Sequence, residues 1–368
     1  MKWRALLMAA VPATTLLTGF LMAQQQPSAQ ESVESPIFRQ EVVNIQVPVT
    51  VRDKSGKLIN GLAPQDFQLL DEGIPQPIKL DTAAYPMSLV IAIQADATAG
   101  KILPVVQKSA DMFAPLISGE TGEIAVIGFD HRIQVLTPFT SNPAEIKAAF
   151  GKLKAGSTQH HLDDAAMEGV RLLKNRGKDR RKILILISET RDHGSAVNPR
   201  DVLTEVEFAN VQVFPVEMNH FINQITSQTE PNRPKAAPPE GRAPLPMGIM
   251  QTGTTDAQTN MGNWAPVFPE IFALVKGIFI QNSLEVYSKF SGGREQDFVG
   301  LSGLEEAVAQ IGEELHSQYL LTFSPTNPRG GYHEITVNVN RAANLKIATR
   351  TGYWIAQRAP VPASDTKK

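Results

Sequence analysis

The chain has 368 residues, 35 basic and 37 acidic, for a formal net charge of −2. Nothing in that balance favours the basic face that nucleic-acid phosphates demand, and the absence of cysteine excludes disulfides, thiolate metal sites and cysteine nucleophiles. With 42% hydrophobic and 20% charged residues, it is ordinary globular material, long enough for two or three structural units.

In chain order, Lys2 and Arg4 precede an apolar run from Ala5 to Ala23, which breaks into Gln24, Gln25, Gln26 and Pro27. A positive start, a short apolar stretch and a small residue at its end predict a signal peptide over residues 1–23 and an exported chain, periplasmic or extracellular. The competing reading is a retained anchor, since the run approaches the roughly 20 residues a bilayer needs. Pro12, Thr14, Thr15 and Thr18 dilute it, and no stop-transfer charges follow Ala23. No later segment is apolar enough to span a membrane, so none is expected after cleavage. Residues 24–40 read as a polar linker.

Residues 41–82 form an N-terminal β unit. EVVNIQVPVTVR alternates as a half-buried strand, and two short strands flank the turn at Asp71-Glu72-Gly73. From residue 86 to 316 the pattern changes. The apolar runs SLVIAI (88–93), IAVIGF (124–129), KILILI (182–187) and VQVFPV (211–216) alternate with helical spacing over 101–117, 143–153, 162–175 and 199–209. Continuous apolar strands separated by helices predict an α/β fold with a doubly wound, mostly parallel sheet and right-handed crossovers. Residues 133–136 pair with 124–129 as a hairpin around Asp130-His131-Arg132. A Pro-, Thr-, Gln- and Gly-rich insertion at about 220–264 is expected to be flexible. A helix over 269–290, an edge strand at 294–298 and a helix over 301–315 complete this unit. The alternating strands within 317–356 are expected to pair with residues 41–82 in one small composite β domain, and residues 357–368 read as a disordered tail.

In an open parallel sheet, ligands bind outside the carboxyl ends of the strands, where the strand order reverses. Three loops bring polar groups there: Gln94-Ala95-Asp96-Ala97-Thr98, Gly156-Ser157-Thr158 before a helix, and Ser188-Glu189-Thr190-Arg191-Asp192. Other motifs fall short. Ala95 followed by Gly100-Lys101 approaches a phosphate-binding loop, but Ile102 stands where Ser or Thr is required. His160, His161, Asp163 and Asp164 have zinc-like composition, yet Asp is favoured in a first helical turn by the dipole, and a solvated first turn is the simpler reading. Asp130-His131-Arg132 reads as a hairpin turn and Asp192-His193-Gly194 as a loop. No Gly-x-Ser-x-Gly elbow exists.

The order of an apolar strand with a polar loop, Gly-Ser-Thr before a helix, and a strand ending in Ser-Glu resembles the von Willebrand factor type A domain. The flanking segments VPVTVRDKSGKLINGLAPQDFQLLDEG, SQYLLTFSPTNP and RTGYW look like the acidobacterial branch of von Willebrand-related exported proteins. The resemblance runs from about Val43 to Trp354. It implies a metal-ion-dependent adhesion site, in which an Asp-x-Ser-x-Ser loop, a threonine and a late aspartate hold magnesium. Here Gln94 takes the place of the first Asp, Asp96 and Thr98 those of the two serines, Thr158 matches, and Glu189 stands for the late Asp. Two carboxylates, two hydroxyls and an amide oxygen remain as ligands for a hard cation. The competing reading is a degenerate site without metal, its polar groups capping helices. Magnesium binding is therefore expected to be weak or absent, with a partner's carboxylate completing any shell.

The resemblance thus implies a non-enzymatic recognition module. It would bind a protein ligand through Gln94, Asp96, Thr98, Ser157, Thr158 and Glu189. The alternatives are a metal-dependent hydrolase using Asp96 and Glu189 with His160 or His161, and a metal-free scaffold whose β domain makes the contacts.

Overall fold

The computed structural model describes residues 44–81, 85–117, 122–177, 179–218, 282–341 and 344–355. The expected signal peptide, linker, insertion and tail lie outside the described residues. Among the described residues, no helix is long and apolar enough to cross a membrane.

The chain ends supply β1 (Ile45–Arg52), β2 (Phe67–Asp71), β3 (Ile74–Gln76) and β4 (Ile78–Asp81) before the central unit begins. β5 (Met87–Gln94) then runs buried along its whole length, as a strand covered on both faces must. After it come α1 (Leu103–Lys108), α2 (Ala110–Phe113), the hairpin β6 (Glu123–Phe129) and β7 (Ile133–Thr140), α3 (Pro143–Gly151), α4 (Leu162–Lys174), β8 (Arg181–Ser188), α5 (Pro199–Ala209) and β9 (Val211–Glu217). α6 (Ser283–Ser291), β10 (Gln296–Asp297) and α7 (Gly300–Ser317) close the unit.

Its sheet has six strands in the order β10-β9-β8-β5-β6-β7, all parallel neighbours except the β6–β7 hairpin. Alternation along β5 sends Leu89, Ile91 and Ile93 into a core shared with Val106 and Phe113 and with Leu304 and Ile311 of α7. Val90 and Ala92 face the opposite core, with Val170 of α4, Val206 of α5 and Tyr287 of α6. Helices on both faces make the sheet doubly wound. The connections out of β5 lead to β6 on one side and later to β8 on the other, so the order reverses at the carboxyl end of β5.

The last strands are β11 (Tyr319–Phe323), β12 (Gly331–Val339), β13 (Lys346–Thr349) and β14 (Gly352–Ile355). They interleave with the first ones in two antiparallel four-stranded sheets, β13-β1-β11-β4 and β14-β12-β2-β3. Val47, Val49, Leu69, Leu321, Phe323 and Val337 fill the space between them. This is the composite β domain expected from the alternation. Two ion-paired clamps tie it to the α/β unit. Arg52 meets Glu314 of α7 at 2.9 Å, and Arg350 meets Glu207 of α5 while donating to Asn210 at 2.6 Å.

Two elements differ from the sequence reading. The single helix expected over 101–117 is divided: α1 ends at Ser109, whose hydroxyl donates to the Val106 carbonyl at 2.8 Å, and the chain tightens into a 3-10 turn at Ala114–Leu116. Pro115 has no N–H to continue the ladder. The last of the alternating segments expected within 317–356 is two strands in different sheets, with the chain changing sheets between Thr349 and Gly352. Gly352 has to lack a side chain, because a Cβ there would sit 2.3 Å from the Tyr332 ring. Of the helix expected over 269–290, the described part is Ser283–Ser291, closed by Gly292 at φ +77°, a left-handed cap that glycine adopts without strain.

Candidate binding face at the carboxyl ends of the strands

Gln94 is the last residue of β5 and is fully buried. Its Oε1 accepts from the Glu189 backbone N–H and from Ser188 Oγ, each at 2.8 Å. A backbone N–H can only donate, so this bond fixes the amide, and Nε2 must face the loop. There it donates to Asp96 Oδ1 at 3.0 Å and approaches Thr98 Oγ1 at 3.4 Å. One side chain thus ties the ends of β5 and β8 together and turns two N–H groups into the site.

Asp96 is also fully buried. It accepts from the Ala99 amide at 2.9 Å, from Thr98 Oγ1 at 2.8 Å and from Gln94, while Oδ2 lies 3.1 Å from His160 Nδ1. Burial opposes its ionisation, but His160, the Ala99 amide, Gln94 and Thr98 outweigh burial and hold the carboxyl down at about 2. His160 Nε2 sits 2.8 Å from the Arg191 carbonyl oxygen, which only accepts, so Nε2 carries a hydrogen. Burial opposes charge on this ring too, but Asp96 and the Arg191 carbonyl raise its pKa above the ordinary imidazole value.

Of the candidate residues, Gln94, Asp96, Thr98 and Glu189 come together, Thr98 Oγ1 reaching Glu189 Oε1 at 3.3 Å. Ser157 joins through its carbonyl, which accepts from the Ala97 amide at 2.6 Å. Thr158 is exposed beside it, and among the described residues no hydrogen bond links it to the other four. The Gly-Ser-Thr turn is held by buried Asp130, which accepts from the Ser157 amide at 3.0 Å and from the Arg132 amide at 2.7 Å. A Cβ on Gly156 would lie 2.0 Å from Asp130 Oδ2, so glycine is needed for this approach. The hairpin-turn reading of Asp130-His131-Arg132 stands, with the added role of anchoring the next loop.

The solvated first turn expected at 160–164 does not form. His160 and Asp163 are both 2% exposed; His161 Nδ1 does lie 3.3 Å from Asp164 Oδ2 on the outer face. Burial pushes the Asp163 carboxyl up to about 7, against the Tyr287 hydroxyl 2.6 Å from its Oδ1, and neighbouring Asp192 and Asp164 add to the rise. Asp192, expected to be plain loop, caps α4: its Oδ1 accepts from the Leu162 amide at 2.8 Å and from Ser195 Oγ at 2.6 Å, and its Oδ2 from the Ser195 amide at 2.9 Å. Sequence reading named Ser188 and Asp192 only as parts of a polar loop, and His160 only in a zinc-like cluster and the hydrolase alternative, without the buried roles seen here. The available signal was position, since each adjoins the end of an apolar segment, where the chain has no room to face outwards.

These residues do not fit magnesium. Six oxygens in near-octahedral array are required, yet both bonds that Gln94 Oε1 accepts come from protein donors, and its N–H face and the His160 ring occupy the side of Asp96 where an ion would sit. The expectation that Gln94 supplies an amide oxygen is corrected on that ground. A different donor set is present. One nitrogen each from His160 and His193 and one carboxylate oxygen of Glu189 all lie within 4.8 Å of one another.

No protein-family model matches the chain, and no curated protein matches it. Among solved structures, it is similar to an aerotolerance-related membrane protein from Bacteroides fragilis, at 12% identity and TM-score 0.37 over 62% of this chain and 98% of that one. It is also similar to the SpRpn10 VWA domain, at 10% identity and TM-score 0.29 over 38% of this chain and 81% of that one. A third is proximal thread matrix protein 1 from the mussel byssus with a zinc-occupied MIDAS motif, at 12% identity and TM-score 0.40; the match spans 66% of this chain and about half, 49%, of that one. The fold class rests on the sheet order and the two helical layers described above.

Proposed function

We propose that the chain is an exported, non-enzymatic protein-binding module of the von Willebrand factor type A kind. Its binding face is the carboxyl edge of the sheet around Gln94, Asp96, Thr98, Ser157, Thr158 and Glu189. The observation that carries this reading is the division of labour at that edge. Gln94, Asp96 and Ser188 are buried and satisfy one another, while Ala97, Thr98 and Thr158 above them are exposed and Glu189 is half-buried. A rigid, internally bonded base beneath a small polar rim is what a surface needs to meet a partner without reorganising. The partner is a protein that contacts the rim by shape and hydrogen bonding.

The test is affinity capture from extracytoplasmic extract with the mature chain as bait, beside Thr98→Arg and Thr158→Arg baits. Both threonines are exposed, so the variants should fold. A protein retained by the wild type and lost by both variants supports the reading. Identical capture by all three baits overturns it.

A further inference from the structure

The geometry points to a transition-metal site, of the zinc class and not the magnesium class, held by His160, Glu189 and His193. It stands whether or not the rim binds a protein.

The ligands come from two loops that are already fastened together. The His193 amide donates to the His160 carbonyl at 3.1 Å, and the two rings meet edge to face with centroids 4.7 Å apart. Asp192, immediately before His193, is fixed by the Leu162, Gly194 and Ser195 amides. Gly194 follows at φ +113°, which lets the chain turn away just after the ligand. Glu189 sits at the end of β8, its amide held by Gln94. The backbone is therefore set before any ion arrives.

His160 has the outer-shell bond typical of a metal-binding imidazole. Its Nε2–H donates to the Arg191 carbonyl, which fixes the ring; Nδ1 shares its proton with Asp96 Oδ2 at 3.1 Å, and the ion takes that proton's place. Ligand atoms around tetrahedral zinc stand about 3.3 Å apart, given zinc–ligand distances of 2.0–2.2 Å. Closing from the present spacing of within 4.8 Å takes side-chain rotation only. His193 is exposed and Glu189 half-buried, so both can turn, while buried His160 stays. Two imidazoles and one carboxylate suit zinc, cobalt or nickel and are a poor set for magnesium, which takes oxygen. A fourth position is left for water or for a group from outside.

Calorimetric titration of the tag-free full chain, stripped of metal, tests this. Zinc chloride should bind at one equivalent, and magnesium chloride should give no saturable heat in the same range. His193→Ala and Glu189→Gln should each weaken zinc binding at least tenfold with unchanged circular dichroism, and His316→Ala, exposed in the last turn of α7, should leave it unaltered. Cobalt(II) should give visible bands of tetrahedral intensity that His193→Ala abolishes. An absence of saturable zinc binding, or zinc binding untouched by His193→Ala and Glu189→Gln, overturns the site.

Discussion

Two aspartates at the same end of the sheet are equally buried and carry opposite electrostatics. Asp96 gathers donors from every side, from a backbone amide, a hydroxyl, a primary amide and an imidazole, and stays ionised far into acid. Asp163 has two hydroxyl donors, Tyr287 and Ser283, set against deep burial and carboxylate neighbours in Asp192 and Asp164, and it takes up a proton near neutrality. Burial opposes ionisation at both and is the largest influence at Asp163; at Asp96 the donors outweigh it. The ionised group underlies the candidate binding face, and the protonatable one lies behind it, at the α4–α6 contact.

Removing the better-served carboxylate should have the larger effect. Asp96→Ala would strand His160, the Ala99 amide and Gln94 without an acceptor. Losing one partner of a buried pair costs on the order of 3–5 kcal/mol, and urea denaturation of the metal-free chain should show a loss in that range. A loss within experimental error would mean that the donors around Asp96 find water instead, and the contrast with Asp163 would collapse.

The second prediction has the opposite sign. A carboxyl whose pKa is raised on folding, here from 3.8 to about 7, binds more protons in the folded state between those values. Stability therefore falls as pH rises from about 4 to 7. Asp163→Asn keeps an acceptor for Tyr287 and cannot ionise, so it should be more stable than wild type at pH 7.5, by on the order of 2–4 kcal/mol. Below about pH 4 the two should be equal. Denaturation curves across this range check it, and a constant difference between the two proteins would refute it.

The smallest effect is expected from Tyr287→Phe. It removes the hydrogen bond that favours the Asp163 carboxylate, so the midpoint of the Asp163 titration should move higher. Stability at pH 7.5 should fall by about 1 kcal/mol. A carboxyl chemical shift followed by NMR reads the midpoint directly, and a downward move would show that another donor dominates.

The fold was legible because its signal is carried by long apolar runs. SLVIAI and KILILI have no alternation and could only be strands covered on both sides, and the change to alternating EVVNIQVPVTVR marked the half-buried sheets of the β domain. The helix divided at Ser109 and the sheet change before Gly352 were not legible, because each depends on what lies across from it in space. The site was half legible. Strand ends located Gln94, Asp96 and Glu189, yet the sequence gives no sign that the Gln94 amide would turn its hydrogens inwards. That orientation is set by the Glu189 amide, 95 residues along the chain. His160 was misread for a related reason: a polar residue at a helix start is usually wet, and only the loop carrying Arg191 and His193 encloses it.

The composite β domain has a consequence for the order of events in synthesis. β1 lies between β11 and β13, so both of its neighbours in the sheet come from the far end of the chain, and Thr50 within it bonds Glu314, 264 residues later. Until those distant segments emerge, β1 presents Val47, Val49 and Val51 beside two open rows of backbone donors and acceptors, a template for any passing strand. Loop closure over such a span comes late in folding. A polypeptide cut short anywhere before β11 keeps that surface bare, and β4 and β2 likewise wait for β11 and β12.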